Sequence, residues 1–188
     1  GVDPQTGLPV YQDINGKPTT VVSAANSRAE FGTYLPKFTG GATLDISWKG
    51  FSLSALLSTA QGVYRYNNES FFYETTNSNV GFNKRVEMLN SWQKPGDITD
   101  YQKISAPREF SSKDIQDASF IRFRNMQAGY TFTNPNGKYI KSVRLWGQGQ
   151  NLYTWTKWQG FDPEESNNIA TYEYPNPKTY TIGLDVNF

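Results

Sequence analysis

The segment "TYTIGLDVNF" (179–188) alternates between two kinds of side chain at every position. The residues of one parity are all apolar: Tyr180, Ile182, Leu184, Val186 and Phe188. The other parity holds only small or polar residues. Because successive side chains of a strand point to opposite faces, this pattern predicts a β-strand with one apolar and one polar face. A strand of about 9–11 residues can cross a bilayer, so the segment is long enough to span a membrane.

Four further segments alternate in the same way and are predicted to be strands. They are "GATLDISW" (41–48), "FSLSALL" (51–57), "ASFIRFRNMQAGYTF" (118–132) and "YIKSVRLWGQGQNLYTW" (139–155). Lys49 and Gly50 separate the first two, which indicates a tight hairpin. In the third, the apolar parity changes near Arg124, which indicates a β-bulge at that residue.

The connections at one end of the predicted strands are short, and those at the other end are long. Residues 49–50 and 133–138 are short turns, whereas about 62–117 and 156–177 are long loops. Short turns at one end and long loops at the other are typical of outer-membrane barrels, which have short periplasmic turns and long extracellular loops. We therefore predict an extracellular loop region at 1–37, barrel strands with long extracellular loops within 38–188, and a periplasmic C-terminus.

Five strands cannot complete a barrel. Single-chain bacterial barrels have even strand numbers from eight upwards, and an open sheet in lipid would leave two rows of unpaired backbone groups. We predict an all-β fold in which about five antiparallel transmembrane strands belong to a larger barrel.

Composition excludes several other classes of function. The chain has no cysteine and no histidine, so zinc sites of the usual kind, thiol chemistry and histidine-based triads are excluded. Its formal net charge of +1 gives no electrostatic reason to bind nucleic acid. We expect no cofactor, no metal site and no catalytic residue.

Three motifs recur in an order that is specific to one family. "SFIRFRNMQAGYTF", "SVRLWGQGQNLYTWTKWQGFDPE" and "YPNPKTYTIGLDVNF" together resemble the C-terminal end of the SusC/RagA-type TonB-dependent transporters. "PKFTGG" (36–41) and "GVDPQTG" (1–7) are also similar to this family. The chain departs from the family pattern at Phe161 and Lys178, where the family has Tyr and Arg.

The resemblance implies a 22-stranded barrel in the outer membrane of a Bacteroidota-type bacterium, with a plug domain inside. It further implies a SusD-like lipoprotein that closes the barrel as a lid, and TonB, which acts through parts that this sequence does not contain. The function implied is import of oligosaccharides or peptides, without enzymatic activity.

Within that frame, the alternation assigns residues to the two sides of the wall. The residues expected to face lipid are Leu44, Ile46, Val143, Leu145, Tyr180, Ile182, Leu184 and Val186. Those expected to face the lumen or the plug are Asn125, Gln127, Arg144, Gln148 and Gln150. Phe188 resembles the terminal aromatic signal of barrel assembly. Aromatics near the short turns form the expected periplasmic girdle: Trp48, Phe51, Phe132 and Phe188.

Aromatic side chains in the long loops could stack on sugar rings. The candidates for substrate contact are Tyr64, Tyr66, Trp155, Trp158 and Phe161. Packing between loops, or contact with the lid protein, would use the same residues. In the segment 162–165, Asp162 and Pro163 predict a structural turn rather than a catalytic or calcium site. A short helix is expected at about 83–92.

Two alternatives remain open at this level. A soluble β-sandwich could bind glycans through exposed aromatics, and solubility without detergent would favour it. A glycosidase needs only two carboxylates, but no motif in the sequence positions such a pair.

Overall fold

The structure is a computed structural model that describes residues 1–23, 25, 31–76, 81–165 and 167–188. Its strands are β1 (Tyr11–Gln12), β2 (Pro18–Thr19), β3 (Phe38–Trp48), β4 (Phe51–Gln61), β5 (Tyr64–Tyr66), β6 (Ile115–Asp117), β7 (Phe120–Thr133), β8 (Ser142–Thr156) and β9 (Thr179–Asn187). One α-helix, α1, spans Asn68–Glu74, and 3₁₀ helices span Val86–Asn90 and Ser112–Asp114. Across the described ranges, no helix is both long and apolar enough to cross a membrane.

The five long strands form one antiparallel sheet in the order β3-β4-β7-β8-β9. These are the five strands that the alternating segments predict, so the all-β prediction is confirmed. β1 pairs with β2 and β5 with β6 in two small separate sheets.

The hairpin between β3 and β4 turns on two residues with positive φ. Lys49 has a φ of 46° and Gly50 a φ of 91°. Two-residue hairpin loops favour this combination because its twist matches that of the flanking strands. A Cβ atom on Gly50 would also lie 2.8 Å from the carbonyl oxygen of Thr131, so glycine is required there.

The bulge predicted near Arg124 is present. Leu56 pairs with Asn125 and Leu57 with Phe123, so Arg124 has no direct partner on β4. The β7–β8 ladder skips the same residue, and Asn151 on β8 has a φ of 51°. The extra residue shifts the parity of β7 once, which keeps Phe123 on the same face as the apolar residues that follow the bulge.

The described residues form two compact units. The sheet unit comprises Thr33–Val63, Asp117–Glu164 and Glu173–Phe188, and the loop unit comprises Gly1–Gly32, Tyr64–Gln116 and Glu165–Tyr172. The sheet unit contains the five long strands, whereas the loop unit contains α1 and two 3₁₀ helices.

The helix of the loop unit does not lie where the sequence indicates one. Residues Asn68–Glu74 are α-helical, because the side chain of Asn67 accepts a hydrogen bond from the Ser70 N–H and caps the first turn. The predicted helix at 83–92 is only a 3₁₀ helix of five residues, and no side chain caps its start. Capping, rather than apolar periodicity, distinguishes the two segments.

Candidate functional site

The polar face of the sheet unit carries a ladder of amide and hydroxyl side chains. Gln127 lies between Ser54 and Gln148, and Gln148 in turn pairs with Thr181. The next row towards the long loops pairs Asn125 with Gln150. Directly paired residues point to the same side of a sheet, so these rows form one polar surface.

All five residues expected on the lumen side share this polar face: Asn125, Gln127, Arg144, Gln148 and Gln150. The Arg144 guanidinium lies 4.0 Å from the Asp185 carboxylate and 3.5 Å from the Ser52 hydroxyl. The Oδ1 atom of Asn125 is buried and accepts no hydrogen bond from the described residues. Buried acceptors are normally satisfied, so this atom is an exception among the polar groups of that face.

Trp146 is a large aromatic residue on the polar face, and two glycines make room for it. A Cβ atom on Gly183 would lie 2.3 Å from the Trp146 ring, and one on Gly129 would lie 3.0 Å from the Trp146 Cβ. The indole therefore covers neighbouring backbone on β7 and β9. The sequence shows the parity of Trp146 but not this packing, which depends on the register of three strands.

The opposite face of the sheet is apolar and exposed. All eight residues expected to face lipid lie on it: Leu44, Ile46, Val143, Leu145, Tyr180, Ile182, Leu184 and Val186. Ile182 is 83% exposed and Leu184 is 62% exposed, although both belong to the middle of β9. A soluble monomer rarely exposes so continuous an apolar surface, which indicates that another apolar phase or partner covers it.

Aromatic rings gather on this face next to the short turns. The Phe51 and Tyr130 rings lie 4.5 Å apart, and Tyr130 lies 4.5 Å from Phe132, in edge-to-face arrangements. The Lys49 ammonium lies 5.1 Å from the Trp48 ring. Trp48, Phe51 and Phe132 belong to the predicted girdle, to which the structure adds Tyr130. Phe188 follows β9 and is 75% exposed.

At the other end of β7, two arginines of the polar face hold the loop between β8 and β9. Arg122 forms an ion pair with Asp162, and its Nη1 lies 3.1 Å from Oε2 of Glu164. Arg124, the bulged residue, pairs with Glu164 and donates a 2.8 Å hydrogen bond from Nε to the Ser58 hydroxyl. We call Arg122, Arg124, Asp162, Glu164 and Asn176 the loop anchor.

Asp162 is the centre of the loop anchor. Its carboxylate accepts the Glu164 N–H at 2.9 Å and the backbone and side-chain N–H groups of Asn176 at 3.0 and 3.1 Å. Burial alone would raise the pKa of Asp162, but these hydrogen bonds and the Arg122 guanidinium lower that pKa below its ordinary value. The predicted structural role of Asp162 in the turn is confirmed, and its link to the "YPNP" turn through Asn176 is new.

The loop unit buries charged side chains. Glu74 is 4% exposed and lies 3.4 Å from the Arg108 guanidinium and 3.1 Å from the Lys113 ammonium. Arg108 also pairs with Asp114, whose side chain is 1% exposed. Burial raises the pKa of Asp114, although Arg108 opposes this shift. Arg85 lies 3.7 Å from Glu74, and we call these five residues the ion-pair network.

A separate buried ion pair joins distant parts of the loop unit. Nη2 of Arg65 lies 2.6 Å from Oε2 of Glu165, and Nε of Arg65 donates to the Asn167 carbonyl at 2.6 Å. Both side chains of the pair are nearly inaccessible, at 2% and 3% exposure. The sequence gives no sign of these pairs, because their members are separated by up to 100 residues.

The candidate substrate aromatics lie in different environments. Tyr66 packs on Phe110 with ring centroids 4.7 Å apart, and Tyr64 contacts Phe31 at 6.0 Å. Trp158 is 6% exposed, and Phe161 is 59% exposed. Trp155 pairs with Ile121 and therefore lies on the apolar face of the sheet. Tyr64 and Tyr66 contact other rings of the loop unit, whereas Trp155, Trp158 and Phe161 belong to the sheet unit.

The loop unit instead gathers a different set of rings. Phe72 lies 5.7 Å from Tyr73, 5.4 Å from Phe82 and 6.1 Å from Tyr172, all edge to face. Tyr172 has a φ of 63°, and its N–H donates to the Glu69 carboxylate at 3.0 Å. Burial, with smaller contributions from Tyr73 and Glu69, raises the pKa of Tyr172 to about 12. We call Phe72, Tyr73, Phe82 and Tyr172 the aromatic cluster.

Acidic side chains do not form a metal site in the part of the chain that is described. No group of three or more Asp or Glu side chains converges there in an arrangement that could hold an ion. The carboxylates of the loop anchor and the ion-pair network face arginine and lysine instead.

The chain matches no protein-family profile. It is 29% identical over 195 residues to TonB-dependent receptor P39 of Formosa agariphila, which covers 95% of this chain and 18% of the receptor. It is 35% identical over 77 residues to TonB-dependent receptor SusC of Bacteroides thetaiotaomicron, covering 39% of this chain and 8% of SusC. The chain thus spans about a fifth of the length of the relatives that match nearly all of it.

The fold is similar to that of solved transporters. The chain superposes on a chain of the RagAB peptide importer in the "open-open" state with a TM-score of 0.90 and 31% identity, covering 100% of this chain and 21% of the other. A second structure, of the RagAB peptide transporter, gives a TM-score of 0.87 and 32% identity over 100% of this chain and 22% of the other. With its exposed apolar face, its polar face and its motifs, the chain is a partial segment of the barrel of a SusC/RagA-type TonB-dependent receptor.

Proposed function

We propose that this chain forms part of the wall and the external loops of a TonB-dependent outer-membrane importer of oligosaccharides or peptides. The observation that carries the proposal is the division of one five-stranded sheet into an exposed apolar face and a face of amide, hydroxyl and charged groups. A barrel wall needs this division because one face meets hydrocarbon and the other meets water or a plug.

The two outer strands of the sheet are expected to pair with further strands of the same barrel. β3 and β9 each have a ladder partner on one side only among the described residues. In lipid, unpaired backbone groups on the other side would each cost several kcal/mol. Further strands of the whole protein therefore belong at both edges.

The polar face is expected to line the lumen or meet the plug domain. Asn125, Gln127, Gln148 and Gln150 offer amide groups on that face, and the Asn125 Oδ1 has no partner among the described residues. The side-chain amides of this face would exchange hydrogen bonds with backbone groups of the plug. TonB would act through the plug, outside this chain.

The long connections are expected on the extracellular side and the short turns in the periplasm. In this orientation the C-terminus is periplasmic, and Phe188 serves as the assembly signal. The loop anchor then fixes an external loop to the inner side of the wall, where a SusD-like lipoprotein lid would meet it. Phe161, which is 59% exposed, is the best placed of the predicted aromatics for contact with cargo or lid.

Single-cysteine labelling of the full-length protein in intact cells tests the assignment of faces. The chain has no cysteine, so each introduced thiol reports on its own position within the chain. We expect Leu184→Cys and Leu145→Cys to be protected from a charged maleimide in the folded protein, because a thiol in hydrocarbon meets neither the reagent nor the water that its thiolate needs. Gln148→Cys, on the opposite face, should react with the charged reagent once the periplasm is opened.

Two results would contradict the proposal. One is rapid reaction of Leu184→Cys with the charged maleimide in correctly localised protein. The other is a full-length protein that remains monomeric and soluble without detergent, which would favour the β-sandwich alternative. Uptake of labelled peptides and oligosaccharides by cells that carry wild-type protein or Phe161→Ala would then distinguish the two cargo classes.

A further inference from the structure

We propose that the apolar face of the sheet carries a binding site for an anionic phospholipid of the periplasmic leaflet, centred on Gly147. The inference rests on the proposed membrane orientation and adds a specific lipid to it. Gly147 lies in the interior of β8, and the fold itself does not require a glycine at that position.

Gly147 differs from the other glycines of β7, β8 and β9. Gly129 and Gly183 are covered by Trp146, and Gly149 by Leu152, whose side chain would lie 2.6 Å from an added Cβ. At Gly147 the nearest heavy atom to an added Cβ is the Thr181 carbonyl oxygen, 3.9 Å away, and its φ is not positive. Neither backbone conformation nor packing within the described chain explains this glycine. A strand glycine without such a reason often marks the close approach of a ligand.

The row of residues through Gly147 forms a depression. Leu53, Ala128, Gly147 and Ile182 are directly paired in that order across β4, β7, β8 and β9. Across this row the side chains are therefore large on β4, small on β7 and β8, and large on β9. With Leu145 and Phe51 they line an open apolar groove of about 620 Å³. Such a groove suits a flexible chain of methylene groups, which gains dispersion contacts from both walls.

The short turns at the end of the sheet nearer the groove carry positive charge. Both short turns are at the same end of the sheet, because the Thr131 N–H donates to the Gly50 carbonyl at 2.9 Å. These turns carry three exposed lysines, Lys49, Lys138 and Lys141, while residues 48–51 and 130–143 contain no Asp or Glu. A lipid whose acyl chain enters the groove would bring its phosphate to this end. The local charge therefore favours an anionic headgroup.

Aromatic rings line the path between the groove and the lysines. Tyr130 packs against Phe51, and its ring approaches to 3.3 Å of an ideal Cβ on Gly50, which places the ring beside the turn. Lys49 extends over the Trp48 ring. Amphipathic rings favour the level where acyl chain and headgroup join, so the order of groove, rings and lysines matches that of a phospholipid.

A second copy of the chain is a less suitable occupant. In a two-fold contact through this face, with the axis along the membrane normal, each lysine cluster would lie at the height of the other. Like charges at that position would oppose association. A phospholipid supplies the opposite charge at the same position.

The test uses the full-length protein purified in a mild detergent and native mass spectrometry. Phosphatidylglycerol and phosphatidylethanolamine with identical acyl chains are added separately, and bound lipid is counted. We expect wild-type protein to retain phosphatidylglycerol more strongly, and Lys49→Gln to reduce this preference about five-fold, in line with the contribution of one surface lysine. Lys138→Gln should act in the same direction.

Filling the groove supplies the second arm. Gly147→Val should reduce retention of both lipids, because the added side chain occupies the space of the acyl chain. Ala42→Val is the matched control, since Ala42 pairs with Leu57 on the same face but nearer the long loops. Heat-modifiable migration on gels verifies that every variant is folded, and protection of Leu184→Cys from the charged maleimide verifies the membrane assignment.

The outcomes separate the two proposals. If Leu184→Cys is not in lipid, the proposed function fails and this site fails with it. If Leu184→Cys is in lipid but retention is equal for both lipids and unchanged in Gly147→Val and Lys49→Gln, only the lipid site is overturned. A doubled mass in wild-type protein that Gly147→Val returns to the single mass would assign the groove to a second copy and also overturn it.

Discussion

The sheet unit and the loop unit differ in the interactions that hold them together. In the sheet unit, apolar residues such as Ile182 and Leu184 are exposed on a regular ladder. In the loop unit, charged residues such as Glu74, Arg108 and Asp114 are buried. The long strands of the sheet unit are held by continuous backbone pairing, whereas the loop unit has little regular pairing and is held by specific polar contacts such as the ion-pair network. The paired backbone is what lets the apolar face of the sheet tolerate an apolar surrounding.

The largest effect should come from breaking the ion-pair network of the loop unit. Arg108→Met removes the guanidinium and leaves Glu74 and Asp114 buried next to each other. Removing one partner of a buried pair costs about 3–5 kcal/mol, so we expect local unfolding of the loop unit. Hydrogen exchange in the full-length protein should show faster exchange for α1 and residues 108–114, with the ladder of β7 and β8 unchanged.

Glu87→Gln is the control for that prediction. Glu87 is 41% exposed and, among the described residues, forms an ion pair only with Arg85, at 3.3 Å. Exposed pairs contribute little, so no change in exchange is expected. Equal effects of Arg108→Met and Glu87→Gln would show that the buried network contributes no more to the loop unit than an exposed ion pair.

Leu184→Arg tests the apolar surface of the sheet unit. A charge on the lipid face near the middle of the bilayer should cost about 2–4 kcal/mol and lower the amount of folded protein in the outer membrane. Thr181→Arg is the matched control, because Thr181 lies on the polar face of the same strand. Heat-modifiable migration of membrane fractions measures both variants. Normal levels of Leu184→Arg would contradict the lipid-facing assignment.

A smaller effect is expected from the packing of Trp146 on the polar face. Gly183→Val would place a Cβ atom within 2.3 Å of the indole, and such overpacking costs about 1–3 kcal/mol. Gly147→Val adds the same side chain where an added Cβ meets nothing closer than 3.9 Å, so folding should be unaffected. Urea unfolding of reconstituted protein, followed by Trp fluorescence, compares the two. Trp146→Ala should rescue Gly183→Val if the indole is the cause of the loss.

The sheet unit could be predicted from the sequence because its residues follow a period of two. The alternation identifies each strand, and the change of parity at Arg124 identifies the bulge. The same pattern could not reveal that Gly129 and Gly183 accommodate Trp146. That packing depends on which residues are opposite each other on three strands, and the register is fixed only when the strands pair.

The loop unit could not be predicted in this way. Its contacts join residues far apart in the chain, such as Arg65 with Glu165, and no local period reports them. The sequence contains a partial signal of the loop anchor. Arg122 and Arg124 are charged residues in an otherwise apolar stretch, and they need partners there. The sequence predicts a helix at 83–92, where the structure has only a 3₁₀ helix. The signal for α1 is the Asn67 cap, a single residue that the alternation pattern does not report.

Acidification should release the loop anchor through Asp162, the smallest of these effects. Because the folded-state pKa of Asp162 is below its ordinary value of 3.8, the carboxylate contributes stability that is fully present above that value. The contribution is lost as pH falls through the lowered pKa, when protonation weakens the ion pair with Arg122 and the hydrogen bonds from Asn176. Pepsin cleavage of the 157–164 segment should therefore accelerate a few-fold between about pH 4 and pH 2, beyond the change in pepsin activity itself. Asp162→Asn should be cleaved faster at the upper pH and show little further acceleration, because asparagine does not titrate. If Asp162→Asn had the same pH profile as the wild-type protein, another group would cause the acid response. Asp162 would then have no role in the acid response of the loop anchor.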